Sequence, residues 1–505
     1  MKNQQLNFSW KQFWITFIYE NLPPVLLSPI AALLIERSLI RAWYVCENRN
    51  LWSLSTRYRP IGFMLFSWFL VYPSSWIITV GFFSTLFDYS DTTYIDPYQI
   101  VLAYMFLFLR RLIISVKYAY FTAEEFDALS QPAPEWTYDR STRKLVGIGW
   151  SSPSNFPGLL ESEIDFSIKN ARSDMSSQNI YLSKISKSSH GKDVQISPKT
   201  LFTGIIKTVY ATKKPRIYDA YVGMLALSIA ILPPLIHSFL YPSSFLLFGE
   251  PLLGNVARFL ACMSGIGIMG FGLVCAFDFK RRYKALKLLR NLVEPTGIES
   301  SLLHDLSLGK KNDSYRLSLL DPNSVIAFME IRNCIIRFGE QFYLRIQGYT
   351  SILILCAVFS VIMLNSIIWT QASHHATTIV MIILIIFAIG SISLFAMFNA
   401  IRLQKQRVAD IDFLRSECLA IECSVATDDQ SLASKRKSVS ILQTAVDTAT
   451  FNDLTHAPTG ILGQTADNKL ITSVLGILIT GCLLAVQGFV DIGIAYDPLG
   501  WSTLE

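Results

Sequence analysis

Residues 470–490 read LITSVLGILITGCLLAVQGFV, an uncharged run from Leu470 to Val490. Coiled as an α-helix at about 1.5 Å per residue, it is about 30 Å long, the thickness of bilayer hydrocarbon. The stretch that contains it, 470–505, has no Lys or Arg. Three others, 60–109, 217–279 and 346–401, share a single base, Arg258, although the whole chain carries 44. Basic side chains are kept off the translocated side of a membrane. The three long windows therefore read as hairpins that cross, turn outside and return, and the last as one outward crossing. Seven spans are expected, near 61–87, 98–117, 219–241, 254–277, 349–371, 377–400 and 471–490, with the N-terminus cytoplasmic and the C-terminus extracellular.

Composition supports an all-α membrane protein. Hydrophobic residues make up 51% and aromatic residues 13%, and the mean hydropathy is +0.37, too apolar for an ordinary soluble domain. The formal net charge of +6 sits on loops assigned to the inner leaflet, so anionic membrane lipids are the expected partner, not nucleic acid. No signal peptide is read, and the first span is expected to target the chain. The expected location is a multi-pass position in the plasma membrane in preference to an internal one. None of the eight cysteines falls in a predicted outer turn, which argues against a disulfide framework.

The chain divides by composition into a cytoplasmic or interfacial segment, 1–59, spans one and two in 60–123, and a cytoplasmic loop, 124–218. Leu22 to Ile35 reads as an interfacial helix, with an eighth span as the alternative. The Ser- and Lys-rich part of the loop around 183–199 reads as disordered. Spans three and four occupy 219–279, and 280–348 reads as anchor helices. In that region Lys280 to Val293 continues span four, and Asp321-Pro322-Asn323-Ser324 offers a helix start that runs straight into span five. Spans five and six fill 349–401, further anchor helices 402–469, and span seven with a short outer tail 470–505.

On the last span Ser473, Gly476, Thr480, Gln487 and Asp491 recur at helical intervals and fall in a sector of roughly 60°, with Leu484 in the same stripe. A polar stripe in an apolar helix needs water or another helix. Two readings compete. Several copies of the helix could surround an aqueous pore, with Gln487 offering an amide to ions, Leu484 a dewetting gate and Asp491 a carboxylate at the outer mouth. Alternatively, the small residues let helices pack closely and share hydrogen bonds.

These residues carry a resemblance. Thr480-Gly481, five apolar residues and then Gln487-Gly488-Phe489 are similar to the last span of insect gustatory receptors, which has Thr-Tyr, five apolar residues and Gln-Phe. The Thr and Gln match in kind and spacing; Gly481 replaces the Tyr, and the Phe comes one residue late. The seven-span plan with prolonged fourth to sixth helices also resembles the insect odorant and gustatory receptor superfamily over most of the chain, outside 124–218. The segment from Leu320 to Arg332 is similar to gustatory receptor-like proteins outside insects, so the chain most resembles a divergent gustatory receptor-like protein. The resemblance implies a homotetramer, last helices lining a cation pore, an intracellular anchor, and a pocket for an unknown small-molecule ligand in the outer half of the bundle.

Candidate pocket residues are the aromatics Tyr72, Trp76 and Tyr104, together with His237 and Arg258. Each also has a plainer reading: aromatic side chains are routine in spans, His237 can bond a neighbouring helix, and Arg258 can snorkel to the outer surface. No nucleotide loop, nucleophile elbow or His-Glu metal motif is present, so no catalytic residue, cofactor or resident metal is expected and an enzyme is the least supported class. A secondary transporter, with helices broken at Pro73 and Pro233-Pro234, and a non-conducting endomembrane scaffold are the rivals.

Overall fold

The computed structural model describes residues 8–21, 97–119, 164–165, 167–168, 180–185, 194–211, 216–240, 252–293, 314–370, 376–424, 429–455 and 460–492. The predicted first span, the Leu22 to Ile35 segment, Tyr72, Trp76 and Pro73 lie outside them.

Helices dominate. In chain order they are α1 (Trp10–Asn21), α2 (Pro97–Ala119), α3 (Pro198–Ala211), α4 (Arg216–Leu240), α5 (Leu252–Asn291), α6 (Pro322–Arg337), α7 (Glu340–Thr370), α8 (Ala376–Cys423), α9 (Asp429–Thr455) and α10 (Asn468–Ile492). Among the described residues α7, α8 and α10 are long and apolar enough to cross a membrane. Each of the other predicted windows from 98 onward also falls on a helix, namely α2, α4 and α5.

The centre is the pair α5 and α8, with α2, α4 and α7 packed around it. α5 and α8 run parallel: Phe277 meets Phe395 at 6.1 Å between ring centroids, and further along the guanidinium of Arg290 lies 5.0 Å from the Phe413 ring. α4 runs against them, its Tyr218 packing on both Phe277 and Phe395, while Tyr221 and Ser391 share a hydrogen bond of 3.3 Å. Its opposite face, Ile217, Met224, Leu227, Ile231 and Leu235, is exposed, the outward apolar stripe expected of a helix with one packed side. Pro233 and Pro234 lie inside this helix without ending it, so no break appears there.

At about 1.5 Å per residue, α5 with 40 residues and α8 with 48 extend about 60 and 72 Å, well beyond the hydrocarbon thickness. Their extra turns pack against α3, α6 and α9. There Arg332 of α6 lies buried with its Nε 3.9 Å from Asp410 Oδ2 of α8, and Gln406 donates to the other oxygen of the same carboxylate at 2.7 Å. Ser438 of α9 donates to the Leu320 carbonyl at 2.7 Å, and Lys435 donates to the Glu422 and Ser424 carbonyls at the end of α8. An ammonium on those terminal carbonyls satisfies acceptors that the helix itself leaves open.

Two expectations change. The fold is not wholly α: β1 (Ile180–Ile185) pairs antiparallel with both β2 (Val194–Ile196) and β3 (Ser314–Leu317), in the order β2-β1-β3. The stretch around 183–199, expected to be disordered, thus supplies strand residues and the start of α3. Its alternating Ile180 and Leu182 are buried with Ile196, which is what orders so polar a segment. β3 is then fastened to the end of α5, Leu317 N–H donating to the Leu292 carbonyl at 2.7 Å.

The second change is at the entry to the fifth predicted span. Asp321 caps α6 as its sequence foretells, accepting from the Asn323 and Ser324 N–H groups with Pro322 in the first turn. That helix stops at Arg337, however, and does not run on. Gly339 adopts φ +59, a conformation open to glycine at little steric expense, and α7 begins at Glu340.

Candidate functional site on the last helix

α10 is the least covered of the three long apolar helices: 22% of its apolar window is buried in the protomer, against 61% for α7 and 56% for α8. It lies on α7, and the two run parallel. Contacts advance together along both helices, from Ser351 with Leu462, through Val361 and Asn365 with Gly481, to Ile368 and Trp369 with Gly488.

The packed face of α10 consists of Leu470, Ile471, Val474, Leu478, Ala485 and Gly488. A Cβ on Gly481 would clash with Val361 Cγ1, and one on Gly488 would lie 2.6 Å from Ile368 Cγ2. Only hydrogen fits at these two crossings. Gly481, which departs from the tyrosine of the motif that the helix resembles, occupies the place where a side chain has no room.

Ser473, Gly476, Thr480, Leu484 and Gln487 are all exposed on the protomer. On a helical projection their stripe is centred roughly 120° from the packed face. The contrast between neighbours is sharp: Leu484 is 45% exposed and Ala485 2%. Apolar residues flank the stripe, with Ile477, Leu483 and Val490 also open. The helix therefore carries its polar groups away from the helices that hold it.

The hold is polar as well as steric. Asn365, on α7, donates from Nδ2 to the Val361 carbonyl of its own helix and to the Gly481 carbonyl of α10, both at 2.9 Å. Before α10 begins, β4 (Gly460–Ile461) and β5 (Gln464–Thr465) form a tight hairpin. Leu462 and Gly463 sit at its turn with φ of 55 and 74, and the Leu462 N–H donates to Ser351 Oγ of α7 at 2.8 Å. Sequence reading missed Asn365 and Ser351. The available signal was a carboxamide within an apolar span, where polar groups usually bond another helix.

A second polar centre lies where α5 meets α3 and the bend between α6 and α7. Arg282 Nε donates to Asp278 Oδ2 at 2.6 Å and its Nη2 to the Gly339 carbonyl at 3.2 Å, with the guanidinium 4.4 Å from the Tyr343 ring. Tyr210 donates to the other Asp278 oxygen at 3.3 Å. Burial raises the Tyr210 phenol above its ordinary value, and the Asp278 charge raises it further. For Arg282 burial works against the charge, but Asp278 outweighs it and holds the guanidinium ionised.

Tyr104, His237 and Arg258 belong to α2, α4 and α5, and Asp491 to the end of α10, but their side chains lie outside the described residues. Among the described residues no group of three or more His, Cys, Asp or Glu is placed to hold a metal. No family model matches the chain, and no curated protein or solved structure matches it.

Proposed function

We propose that this chain is a gustatory receptor-like, seven-span subunit of a ligand-gated cation channel. It has a cytoplasmic N-terminus and assembles as a homotetramer in the plasma membrane. The observation that carries the reading is the outward polar stripe on α10, turned roughly 120° from the face packed on α7. An apolar helix with Thr480 and Gln487 on its uncovered side needs water or a further helix there. Four copies around an axis provide both: neighbouring α10 helices cover the flanking Leu483 and Val490, and a central column of water meets Thr480 and Gln487. Leu484, in the same stripe, narrows and dries that column when closed. Asp491 favours cations at the outer mouth. A small ligand in the outer half of the bundle, near Tyr72, Trp76, Tyr104, His237 and Arg258, favours one of two arrangements of the helices, and α10 follows.

Expression with current recording tests this. A cation conductance that Gln487→Ala changes in selectivity and Leu484→Ala makes leaky is the expected result. Substrate uptake without current would favour a secondary transporter, and neither would favour a non-conducting endomembrane scaffold. Particle imaging provides the assembly state, and a lone subunit would refute the channel.

A further inference from the structure

We infer that Asn365 is the positioning residue that sets the rotation of α10, and with it which face the helix turns away from the protomer. The inference rests on the reading of α10 as pore-lining and adds to it a residue on a different helix.

The geometry leaves Asn365 little freedom. One Nδ2 hydrogen is used on the Val361 carbonyl four residues back, which fixes the side chain against its own helix; the other reaches the Gly481 carbonyl. A helical carbonyl already accepts from the N–H four residues on, but its second lone pair is open to a donor at a defined azimuth. Asn365 supplies that donor where Gly481 brings the two backbones together. Sliding or turning α10 therefore breaks a bond that the apolar side chains and hydrocarbon around it do not replace.

Two further contacts lie on the same line. Gly488 is seven residues, nearly two turns, beyond Gly481 and so repeats its azimuth against Ile368 and Trp369. The Ser351 to Leu462 bond fixes the chain before the helix begins. The glycines exclude rotations that would turn a side chain into Val361 or Ile368, but hydrogen at Cα makes no directional contact that would hold one orientation. Asn365 does, since its bond is directional. With Gly481 held toward α7, Thr480, Leu484 and Gln487 must point away.

Single cysteines at Leu478, Thr480, Ala485 and Gln487 test the assignment in the full chain in liposomes, with Cys46, Cys423 and Cys482 replaced by serine. Each is treated with a charged methanethiosulfonate and with a membrane-permeant maleimide. With Asn365 present, Leu478 and Ala485 should be protected from both reagents and Thr480 and Gln487 should react. Asn365→Leu should raise maleimide labelling at Ala485 and lower it at Thr480, changing their ratio about fivefold, the scale of one interhelical hydrogen bond in a membrane. Should that variant fail to fold, Asn365→Ser is the second: its hydroxyl can keep the bond to the Val361 carbonyl but is too short to reach Gly481. An unchanged ratio, or an equal rise at both positions from general loosening, would overturn the assignment. If Thr480 and Gln487 react with the maleimide alone, α10 faces lipid and the pore reading fails, while the Ala485 to Thr480 ratio still decides the role of Asn365.

Discussion

Arg282 and Asp278 form a buried ion pair one turn apart on α5, Nε to Oδ2 at 2.6 Å, and the same guanidinium donates to the Gly339 carbonyl at the bend before α7. The pair thus does more than neutralise itself. It joins the extension of α5 to the point where α6 gives way to α7, and Tyr210 brings α3 to the same carboxylate.

Removing one partner strands the other. Asp278→Ala should destabilise the protein by about 3–5 kcal/mol, because an uncompensated guanidinium stays in a site shut off from water. Adding Arg282→Met to that variant should recover most of the loss. Thermal unfolding of the single and double variants in detergent checks both outcomes.

Tyr210 predicts a dependence on alkaline pH. Its phenol is held above the ordinary value by burial and then by Asp278, whereas in the unfolded chain it ionises near pH 10. A raised folded value contributes stability that is fully present below about pH 10 and is lost as pH rises through the folded value. The stability difference between the natural chain and Tyr210→Phe should therefore be constant from pH 7 to 9 and fall at higher pH, by up to about 1.4 kcal/mol per unit. Melting curves across pH 7 to 11 for the two proteins measure that difference.

At the α7–α10 crossing, Gly481→Ala should destabilise by about 1–3 kcal/mol, the usual range for overpacking. The added methyl meets Val361 Cγ1, which is held in a single preferred helical rotamer and cannot swing aside. Val361→Ala in the same chain should remove the clash and restore the melting temperature. If the double variant is no better than Gly481→Ala alone, the crossing does not lie at Val361.

Asp321→Ala should loosen the first turn of α6 at a stability loss of about 1 kcal/mol, since Asp321 accepts from the Asn323 and Ser324 N–H groups. Amide hydrogen exchange at Asn323 and Ser324 should accelerate while that of α8 is unchanged.

The long helices were legible because their limits are chemical. α4 covers 216–240 where 219–241 was expected, and α10 covers 468–492 where 471–490 was expected; Arg216 and Lys469 mark where the apolar runs begin. The prolongations of α5 and α8 were readable from apolar residues that keep helical spacing beyond the bases, such as Leu286, Leu289 and Leu414. β1 was hidden because its Ser183 and Lys184 open the Ser- and Lys-rich run that follows, while its order comes from pairing with Leu317, far away in sequence. The bend at Gly339 was hidden for a different reason. Apolar spacing continues from Ile336 through Tyr343, and only the non-helical backbone angles of Phe338 and Gly339 separate two helices from one. The stripe on α10 could be read from spacing, but the direction in which it points depends on Asn365 and Val361, and no periodicity reports a partner helix.

α8 runs for 48 residues without a proline, and one end lies beside α7 and α4 while the other lies beside α6 and α9. An unbroken helix of about 72 Å behaves as a stiff lever. A tilt of about 5° around its midpoint carries each tip about 3 Å, in opposite directions. Strain applied at one extremity therefore arrives at the other as displacement, without any relay of side chains between them.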